Sequence, residues 1–474
     1  MLFNSITFLL FLPITFVVFW SLRKNLTAQN ILILIASYVF YGWWDYRFLS
    51  LIAFSTIVDY LIALQIEKTD LPRRRKLGLI LSLLVNLGFL GVFKYYNFFV
   101  ESFVDAFSGV GIQLSPATLN IILPVGISFY TFQTLSYTID VYRGKLEPTR
   151  SLLKFAAYVA FFPQLVAGPI ERATQLLPQF SIEKKFSYEL AKSGVYLIIW
   201  GFFKKIVVAD NCAFFVNQIF ENPEGRSSLE LFLGAVLFAF QIYGDFSGYS
   251  DIAIGTARLF GFRLMTNFKF PYFSRDIAEF WRRWHISLST WFRDYVYIPL
   301  GGSRGPKSLQ LRNVMVIFLV SGFWHGANWT FLVWGGLHAL FFIPLLLQDS
   351  NRKNLGSSSY NIRTVAGTFF CFLLVTFAWV FFRADSVSHA LTYLEGIFQL
   401  RSLDPGLFLK SSKYALLSLI CLFGISCILM IEYGAFIKDR EEVRLNKYSA
   451  LVISCLVLLL GSFKNQSDFI YFQF

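Results

Sequence analysis

The chain alternates between apolar stretches of about 20 residues and shorter polar segments along its whole length. A helix that crosses a bilayer needs about 20 mostly apolar residues. Because the stretches are continuously apolar and do not alternate as in a transmembrane barrel, they predict helices. We therefore predict an all-α, polytopic membrane protein with about 11–12 spans. The predicted spans are residues 5–22, 29–45, 48–66, 77–97, 121–141, 190–208, 229–250, 313–326, 328–347, 364–382, 414–432 and 448–463.

Residues 151–186 are too polar to cross a membrane and too aromatic for a loose loop. The segment is apolar in part, but proline interrupts it at Phe162–Pro163 and again in the run 167–172. A proline-interrupted apolar segment of this length predicts a re-entrant or a buried, broken helix.

Residues 271–300 combine arginine with tryptophan between two predicted spans. At about 100° per residue, three arginines fall on one line of a helix and an aromatic row falls on the other. This pattern predicts an interfacial helix, with a basic face toward lipid phosphates or an anionic ligand and an aromatic face toward the bilayer or the core. The arginines are Arg275, Arg282 and Arg293; the opposite side carries Phe280, Trp284, Leu288 and Trp291, with His285 at its edge.

The composition agrees with a membrane protein, since 56% of the residues are hydrophobic and only 15% are charged. A soluble domain carries about 25% charged residues. The net charge of +13 does not indicate nucleic-acid binding here, because basic residues in cytoplasmic loops explain it. No linker-like or low-complexity segment divides the chain, which predicts a single membrane domain over residues 1–474.

The loop charges also predict an orientation. The loop 98–120 has Glu101 and Asp105 and no Lys or Arg, whereas basic residues cluster in alternate loops. Under the positive-inside rule, these basic loops are cytoplasmic if the N-terminus is extracytoplasmic. The basic residues are Arg23, Lys24, Lys68, Arg73, Arg74, Arg75, Lys76, Arg143, Lys145, Arg150, Lys154, Arg352, Lys353, Arg363, Lys438, Arg440, Arg444 and Lys447.

The chain shows no sequence pattern of a resident metal or cofactor. The five cysteines lack metal-ligand or redox spacing, and there is no HExxH, Walker or GxGxxG motif. We therefore expect no metal and no permanently bound cofactor. The first apolar stretch has no charged region before it and no cleavage site after it, so we interpret it as a span.

Histidine is rare, with four in the chain. His325 lies at the junction of two predicted spans, between Trp324 and Gly326, and an imidazole at membrane depth is a functional candidate. A neutral imidazole can accept a proton from an attacking hydroxyl. The alternative is a histidine that packs against a neighbouring helix without chemistry. His338 follows thirteen positions later, roughly 140° around a continuous helix, which favours a structural or supporting role. His389 lies outside the spans as a solvated polar residue.

Asp245 lies between Gly244 and Gly248 in an apolar segment. An unpaired carboxylate there is costly, so a partner such as arginine, tyrosine or a backbone N–H is expected. Structural pairing and a proton relay are both open interpretations.

Several long motifs resemble the membrane-bound O-acyltransferase (MBOAT) family, and most closely its bacterial branch that serves alginate O-acetylation. The resemblance extends from the first span to about residue 390. The two main motifs are FWRRWHISLSTWFRDYVYIPLGGSR (280–304) and FWHGANWTFLVWGGLHAL (323–340); the others are LPVGISFYTFQTLSYTIDVYRGK (123–145), AGPIER (167–172), FQIYGDFSGYSDIAIGTARLFGF (240–262) and WVFFRADS (379–386).

The resemblance implies a ring of tilted helices around a central tunnel in the bacterial inner membrane. A cytoplasmic acyl thioester, expected to be acetyl-CoA, is the donor, and His325 is the general base. His285 is the second histidine of the branch, and converges with His325 if its helix dips inward. His285 and backbone N–H groups near Gly326 are candidates for oxyanion stabilisation.

The resemblance also suggests the remaining partners. The acetyl group passes to a periplasmic acetyltransferase partner and then to hydroxyls of an exported polysaccharide, with no nucleic acid involved. Arg282, Arg283 and Arg293 are candidates for holding donor phosphates, or they anchor to lipid headgroups. Trp324 and Asn328 are candidates for lining the substrate pocket, and Asn328 replaces the small residue common in the family.

Three alternatives remain open. Within the family, the chain would instead transfer D-alanine to teichoic acid from a carrier-protein thioester. A secondary transporter or flippase would instead use Asp245 as a coupling acid, and a third class is a non-catalytic scaffold for glycan synthesis.

Overall fold

The computed structural model describes residues 1–119, 122–166, 168–355, 362–400, 402–463 and 469–470. Within these ranges every regular element is helical, which confirms the predicted all-α class. Ala167 lies outside the described residues, as does the side chain of Arg363. The chain forms two compact units, the first from Met1–Gly194 with Thr256–Met265 and the second from Val195–Gly255 with Thr266–Phe474. The predicted single domain stays a prediction.

The first unit contains nine complete helices among its described residues. Three of them begin with a side-chain cap: Ser5 accepts from Phe8 N, Asn25 from Ala28 N and Ser151 from Lys154 N. The helices are α1 (Ile6–Ser21), α2 (Leu26–Asp45), α3 (Leu49–Glu67), α4 (Pro72–Leu90), α5 (Tyr96–Ser108), α6 (Ile127–Tyr142), α7 (Leu152–Val159), α8 (Phe162–Leu165) and α9 (Ala173–Leu176); a 3₁₀ turn at Tyr46–Phe48, a π-helical turn at Gly91–Tyr95 and a 3₁₀ turn at Leu177–Ser181 join or follow them.

Two helices, α10 (Tyr188–Phe202) and α12 (Ser228–Leu259), cross the boundary between the units, and the second unit contains the rest. These are α11 (Asp210–Glu221), α13 (Ile277–Arg283), α14 (Ile286–Phe292), α15 (Lys307–His325), α16 (Trp329–Leu347), α17 (Ile362–Arg383), α18 (Val387–Phe398), α19 (Gly406–Leu409), α20 (Ser412–Phe436) and α21 (Lys447–Leu460), with π-helical turns at Phe203–Ala209 and Arg293–Tyr297 and a 3₁₀ turn at Pro271–Phe273.

Six helical stretches of the described chain are long and apolar enough to cross a membrane. Large apolar side chains on α20, such as Leu419 and Met430, are more than half exposed, which is the expected arrangement for a lipid-facing surface. The stretches are Leu26–Glu67, Pro72–Ser108, Ser228–Leu259, Trp329–Leu347, Thr364–Arg383 and Ser412–Phe436, and shorter apolar helices cover Ile6–Ser21, Leu152–Leu165 and Lys447–Leu460. The protein is therefore a multi-pass membrane protein, and its orientation stays a prediction.

Most predicted spans coincide with helices within a few residues, with one clear correction. The segment 98–120 was predicted to be a loop because it separates two predicted spans, but α5 continues the helix of the fourth span to Ser108. The π-helical turn at Gly91–Tyr95 joins α4 to α5, and α5 extends past the predicted end at residue 97. Most of the aromatic and polar residues of α5 lie on opposite sides of an amphipathic helix, which favours helix here. The positions of the charged residues alone do not indicate it.

The segment 151–186 forms a series of short, broken helices, as its prolines indicate. Pro163 stands at the start of α8, and α7 ends at Val159. The side chains from Phe155 to Leu165 are buried. The prediction of a buried broken helix is therefore confirmed for the described residues.

The segment 271–300 is not the single helix that its periodicity predicts. It breaks between α13 and α14, where His285 adopts a left-handed backbone conformation with φ +44°. The break separates Arg293, which follows α14, from Arg275 and Arg282, and Arg275 pairs with the buried Glu279. The aromatic row was predicted to face the bilayer or the core, and the structure places it in the core, with Phe280 and Trp284 each 1% exposed.

Helices α15 and α16 form an antiparallel hairpin whose closeness depends on two glycines. A Cβ atom added to Gly322 would lie 2.2 Å from the carbonyl oxygen of Phe331, and one added to Gly335 would lie 2.4 Å from that of Phe318. The backbones therefore approach each other where no side chain fits. This hairpin carries His325 at the end of its first helix.

Candidate active site

His325 is the last residue of α15, immediately before the bend at Gly326–Asn328. Its side chain is 4% exposed and lies in an aromatic wall. The ring of Trp334 stands edge-on at 5.2 Å between centroids, and that of Phe382 on α17 lies at 5.5 Å. Three helices therefore hold the imidazole in place.

His285 reaches the same place from the break between α13 and α14. Its ring centroid lies 6.4 Å from that of His325. Phe246 of α12 packs edge-on against it at 4.6 Å, and the residue is 2% exposed. The predicted convergence of the two histidines is therefore present in the structure.

The far side of His285 is held by hydrogen bonds. Its Nδ1 lies 2.9 Å from Oδ1 of Asn267, which also accepts from the hydroxyl of Ser287. His285 lies outside the long apolar helices, and burial lowers its pKa well below the ordinary 6.5, with a further contribution from His325. The ring is therefore neutral at physiological pH.

His338 is a neighbour of the pair but is separated from His325 by Trp334. The indole of Trp334 lies 4.8 Å from the His338 ring and 5.2 Å from that of His325, measured between centroids. His338 is fully buried, and its Nδ1 accepts a hydrogen bond from Trp281 at 3.3 Å. This position agrees with the supporting role expected from its spacing.

A cavity of about 610 Å³ lies in the second unit, and neither His285 nor His325 is among its lining residues. Its wall includes Trp281, which contacts His338, and Ser321, which lies one helical turn before His325. Three arginines contribute to the lining, namely Arg282, Arg293 and Arg352. The cavity therefore combines an apolar wall with several positive charges.

Arg282 is the arginine of this set that is held within the wall. One of its nitrogens, Nη1, donates to the carbonyl of Asn351 at 2.9 Å, while Nη2 is buried with no hydrogen-bond partner among the described residues. Arg293 is exposed and pairs with Asp294 at 2.8 Å. A buried guanidinium with an unused donor is suited to binding an anionic group.

The other predicted binding residues do not line this cavity. Arg283 donates to the Glu279 carboxylate at 2.9 Å, and Glu279 is 2% exposed, so Arg283 acts in the fold. Asn328 caps α16, since its Oδ1 accepts from Thr330 N at 3.0 Å. Trp324 precedes His325 on α15 and is partly buried.

Asp245 has the kind of partners that its apolar setting demands. Its carboxylate accepts from Nζ of Lys205 at 2.6 Å and from the backbone N–H of Ile470 at 2.7 Å. Lys205 also pairs with Asp210 at 2.8 Å, and all three side chains are buried. The backbone N–H was among the expected partners, but Lys205 was not considered. A lysine within a predicted apolar span is unusual, and this could have indicated Lys205 as the partner of Asp245.

Asn267 was also missed by sequence reasoning. It lies in the irregular segment before Pro271, and its spacing of eighteen residues from His285 carries no recognisable pattern. Only the folded chain places it against the histidine.

A sequence model of the MBOAT, or membrane-bound O-acyltransferase, family matches residues 145–384. The match includes both histidines, Asn267 and most of the cavity wall. The described geometry and the family match therefore concern the same part of the chain.

Three relatives illustrate the range of similar proteins. The probable alginate O-acetylase AlgI of Pseudomonas aeruginosa is 42% identical over 84% of this chain and 75% of its own length. The peptidoglycan O-acetyltransferase of Helicobacter pylori is 32% identical over all of this chain and 98% of its own length. The teichoic acid D-alanyltransferase of Bacillus subtilis is 26% identical over 57% of this chain and 71% of its own length.

Proposed function

This chain belongs to the membrane-bound O-acyltransferase family and is a multi-pass membrane O-acetyltransferase, and on that basis we propose that it moves acetyl from a cytoplasmic thioester toward hydroxyls of an exported glycan. Its expected location is the bacterial inner membrane, where a cytoplasmic donor and an exported acceptor are both within reach. The observation that carries the proposal is the buried pair formed by His285 and His325.

The separation of the two rings suits a reacting group between them. Hydrogen bonds to oxygen or nitrogen span about 2.7–3.2 Å. The 6.4 Å between the ring centroids is compatible with an acceptor hydroxyl between the two imidazoles. Their burial among aromatic rings keeps bulk water away and strengthens electrostatic contacts.

The proposed reaction assigns the proton transfers to His325. Its neutral ring takes the proton of the acceptor hydroxyl while the hydroxyl oxygen bonds to the acetyl carbonyl carbon. The carbon–sulfur bond then breaks, and the imidazolium returns the proton to the departing thiolate. The products are the acetyl ester and the free thiol, and His325 is neutral again.

The cavity of the second unit is the proposed donor site. Arg282 has a buried, unused N–H donor there, and Arg293 and Arg352 add charge. Acetyl-CoA carries phosphates that such arginines bind through charge-assisted hydrogen bonds. Ser321, one turn before His325, and Trp281, which contacts His338, line this cavity, and we propose that the thioester lies at this part of the wall.

The acceptor is proposed from the relatives. The similarity to probable alginate O-acetylases favours an exported polysaccharide, with a periplasmic acetyltransferase partner completing the transfer. A second candidate is peptidoglycan, because the peptidoglycan O-acetyltransferase matches this chain along its whole length and the alginate relatives match about four fifths of it. D-alanyl transfer to teichoic acid is less well supported, at 26% identity over 57% of the chain.

Complementation of a deletion strain tests the function. Wild type, His325→Ala and, as a control, His389→Gln are expressed at equal levels, and ester-linked acetate is measured separately on exported polysaccharide and on peptidoglycan. His389 lies on α18 beside Asp385 and serves as a matched histidine outside the pair. We expect acetate to be lost with His325→Ala and kept with His389→Gln.

The result also separates the acceptors and the rival classes. The polymer that loses acetate in the deletion strain is the acceptor. Equal acetate in wild type and His325→Ala would overturn the catalytic assignment and favour a scaffold. Loss of D-alanine esters, with acetate unchanged, would favour teichoic-acid modification.

A further inference from the structure

Asn267 forms hydrogen bonds with the side chain of His285 and with the residues around it. Its side chain is 1% exposed, and its amide lies among four polar groups of the second unit. Oδ1 lies 2.9 Å from His285 Nδ1 and 2.9 Å from the Ser287 hydroxyl, while Nδ2 donates to the Ser250 hydroxyl at 3.1 Å. The Asn267 carbonyl accepts from Ile286 N at 2.9 Å, which ties down the backbone immediately after His285.

The orientation of this amide is determined by its neighbours. The backbone N–H of Ser287 points at Oδ1 over 3.4 Å, and a backbone N–H can only donate. Rotating the amide by half a turn would place its NH₂ group against this N–H, two donors facing each other. The atom that faces Ser287 and His285 is therefore the amide oxygen.

An amide oxygen has no proton, so the proton of its hydrogen bond to His285 must be on Nδ1 of the imidazole. The Ser287 hydroxyl donates to Asn267, so it presents only lone pairs to the same nitrogen, at 3.5 Å. A neutral imidazole carries one proton, and Nε2 of His285 then has a lone pair.

We propose that Asn267 is a positioning residue that holds His285 in the Nδ1–H tautomer. The Nε2 lone pair of His285 then shares with His325 the single proton that leaves the acceptor hydroxyl and later returns to the thiolate, and His285 is not an oxyanion donor. The proposal rests on the proposed function, in which the pair of histidines is the reaction site. An oxyanion donor must present an N–H to the developing charge, and neutral His285 has its N–H turned toward Asn267. The oxyanion must then be stabilised by other donors, with the backbone near Gly326 as the candidate.

Nitrogen NMR tests the tautomer without using activity. The chain has four histidines, so ¹⁵N-histidine labelling of the full protein in lipid nanodiscs gives few ring signals. Each signal is assigned by its loss in a variant in which that one histidine is replaced. Protonated and unprotonated ring nitrogens have well-separated shifts. His338 is an internal reference for the other tautomer. Because Trp281 donates to its Nδ1, the proton of the neutral ring is on Nε2. We expect Nδ1–H for His285 and Nε2–H for His338.

Three variants separate positioning from a merely structural contribution. Asn267→Ala removes the acceptor, Asn267→Asp keeps an acceptor in place, and Ser250→Ala removes only the contact to Nδ2. With Asn267→Ala, we expect the Nε2–H form of His285 to appear and kcat to fall about 10- to 100-fold, out of the roughly 10²–10⁴-fold that a general base contributes, with little change in KM. Asn267→Asp should keep the tautomer and most of the activity at neutral pH, and Ser250→Ala should stay close to wild type.

The charge of Asn267→Asp adds a second readout. A carboxylate beside Nδ1 favours the imidazolium of His285, where His325 on α15 is the titratable group that already acts on this ring. The acidic limb of the rate profile should therefore move to higher pH in Asn267→Asp and not in Ser250→Ala. This variant keeps the test usable if Asn267→Ala does not fold.

The outcomes distinguish the inference from the proposed function. Wild-type His285 in the Nε2–H form would overturn the inference, as would an Asn267→Ala protein that folds with wild-type kcat and the same tautomer. If the tautomer is as expected but His325→Ala and His285 variants keep full acetyl transfer, the proposed function has failed and the catalytic part of the inference fails with it. Loss of activity in Asn267→Asp equal to that in Asn267→Ala, with no pH shift, would also overturn it.

Discussion

The ring centroids of His285 and His325 lie 6.4 Å apart. His285 lies in the break between α13 and α14, whereas His325 is the last residue of α15. Each backbone is irregular at that point: His285 is left-handed, and α15 stops at His325 before the bend at Gly326–Asn328. Breaks in helices leave room for a substrate where a continuous helix would pack side chains. The two histidines therefore define a site that depends on where the helices end.

We expect His285→Asn to abolish most acetyl transfer without unfolding the protein. Asparagine tolerates the left-handed backbone at φ +44°, whereas alanine would be strained there. It has no group that accepts a proton at neutral pH, so kcat should fall by about 10²–10⁴-fold. Acetyl transfer by purified protein, normalised to the monodisperse peak in size-exclusion chromatography, measures this. Wild-type turnover by a correctly folded His285→Asn protein would remove His285 from the mechanism.

Acid should destabilise the protein through His285. Burial lowers the pKa of this imidazole in the folded state, whereas in the unfolded chain it stays near 6.5. Between these values the unfolded chain binds a proton and the folded chain does not, so the free energy of unfolding decreases as the pH falls below about 6.5. The slope contributed by this group is at most about 1.4 kcal/mol per pH unit. Unfolding in detergent at several pH values should show a shallower acid slope for His285→Asn; an unchanged slope contradicts the assignment.

Arg282→Gln and Arg283→Gln should have different effects although the residues are adjacent. Arg282 lines the cavity with an unused donor, so its loss should raise KM for the thioester about tenfold or more, since a hydrogen bond to a charged group contributes about 1.5–3 kcal/mol. Arg283 pairs with buried Glu279, so its loss should lower the melting temperature instead. Donor-dependent initial rates and thermal unfolding are measured on both. A KM change for Arg283→Gln alone would argue against the cavity as donor site.

Gly335→Ala and Gly336→Ala form a matched pair for the α15–α16 hairpin. A Cβ at Gly335 would lie 2.4 Å from the carbonyl oxygen of Phe318, whereas one at Gly336 meets only a Leu319 carbon at 3.9 Å. We expect Gly335→Ala to destabilise the protein by about 1–3 kcal/mol. Gly336→Ala should be neutral or slightly stabilising, because alanine favours helix by up to about 1 kcal/mol. Equal melting temperatures for the two variants would show that the hairpin is looser than described.

Asp245→Asn should affect folding more than chemistry. The substitution leaves the buried Lys205 with Asp210 alone, and breaking a buried ion pair costs about 3–5 kcal/mol. We therefore expect less folded protein but unchanged acetyl transfer for each folded molecule. Yield, melting temperature and specific activity separate the two effects. Full stability combined with loss of activity would instead support the transporter-like class, in which Asp245 is a coupling acid.

Several features of this protein were predictable from local sequence. Continuous apolar stretches predicted an all-helical membrane protein, because each bilayer span must satisfy its own backbone hydrogen bonds. Pro163 predicted the broken helix around α8, since proline lacks the N–H that a helix interior uses. The family motifs singled out His285 and His325 as residues, and the periodicity of 271–300 predicted an aromatic side that faces either the bilayer or the core.

Other features depend on the folded chain. Periodicity treats 271–300 as one helix, and it has no means of detecting a left-handed residue at His285. His285 forms its side-chain hydrogen bond to Asn267, which is eighteen residues away along the chain. Lys205, likewise, becomes the partner of Asp245 only when α12 packs beside the π-helical turn at Phe203–Ala209.

The sequence by itself determined the class of the protein and its candidate histidines, because hydropathy and short motifs are local properties of the chain. The tertiary structure decided that the two histidines face each other, that Arg282 lines a cavity while Arg283 stabilises the fold, and that Asn267 orients His285. These relationships join residues that are distant in sequence or adjacent with opposite orientations. They follow from where helices break and pack, which local periodicity does not contain.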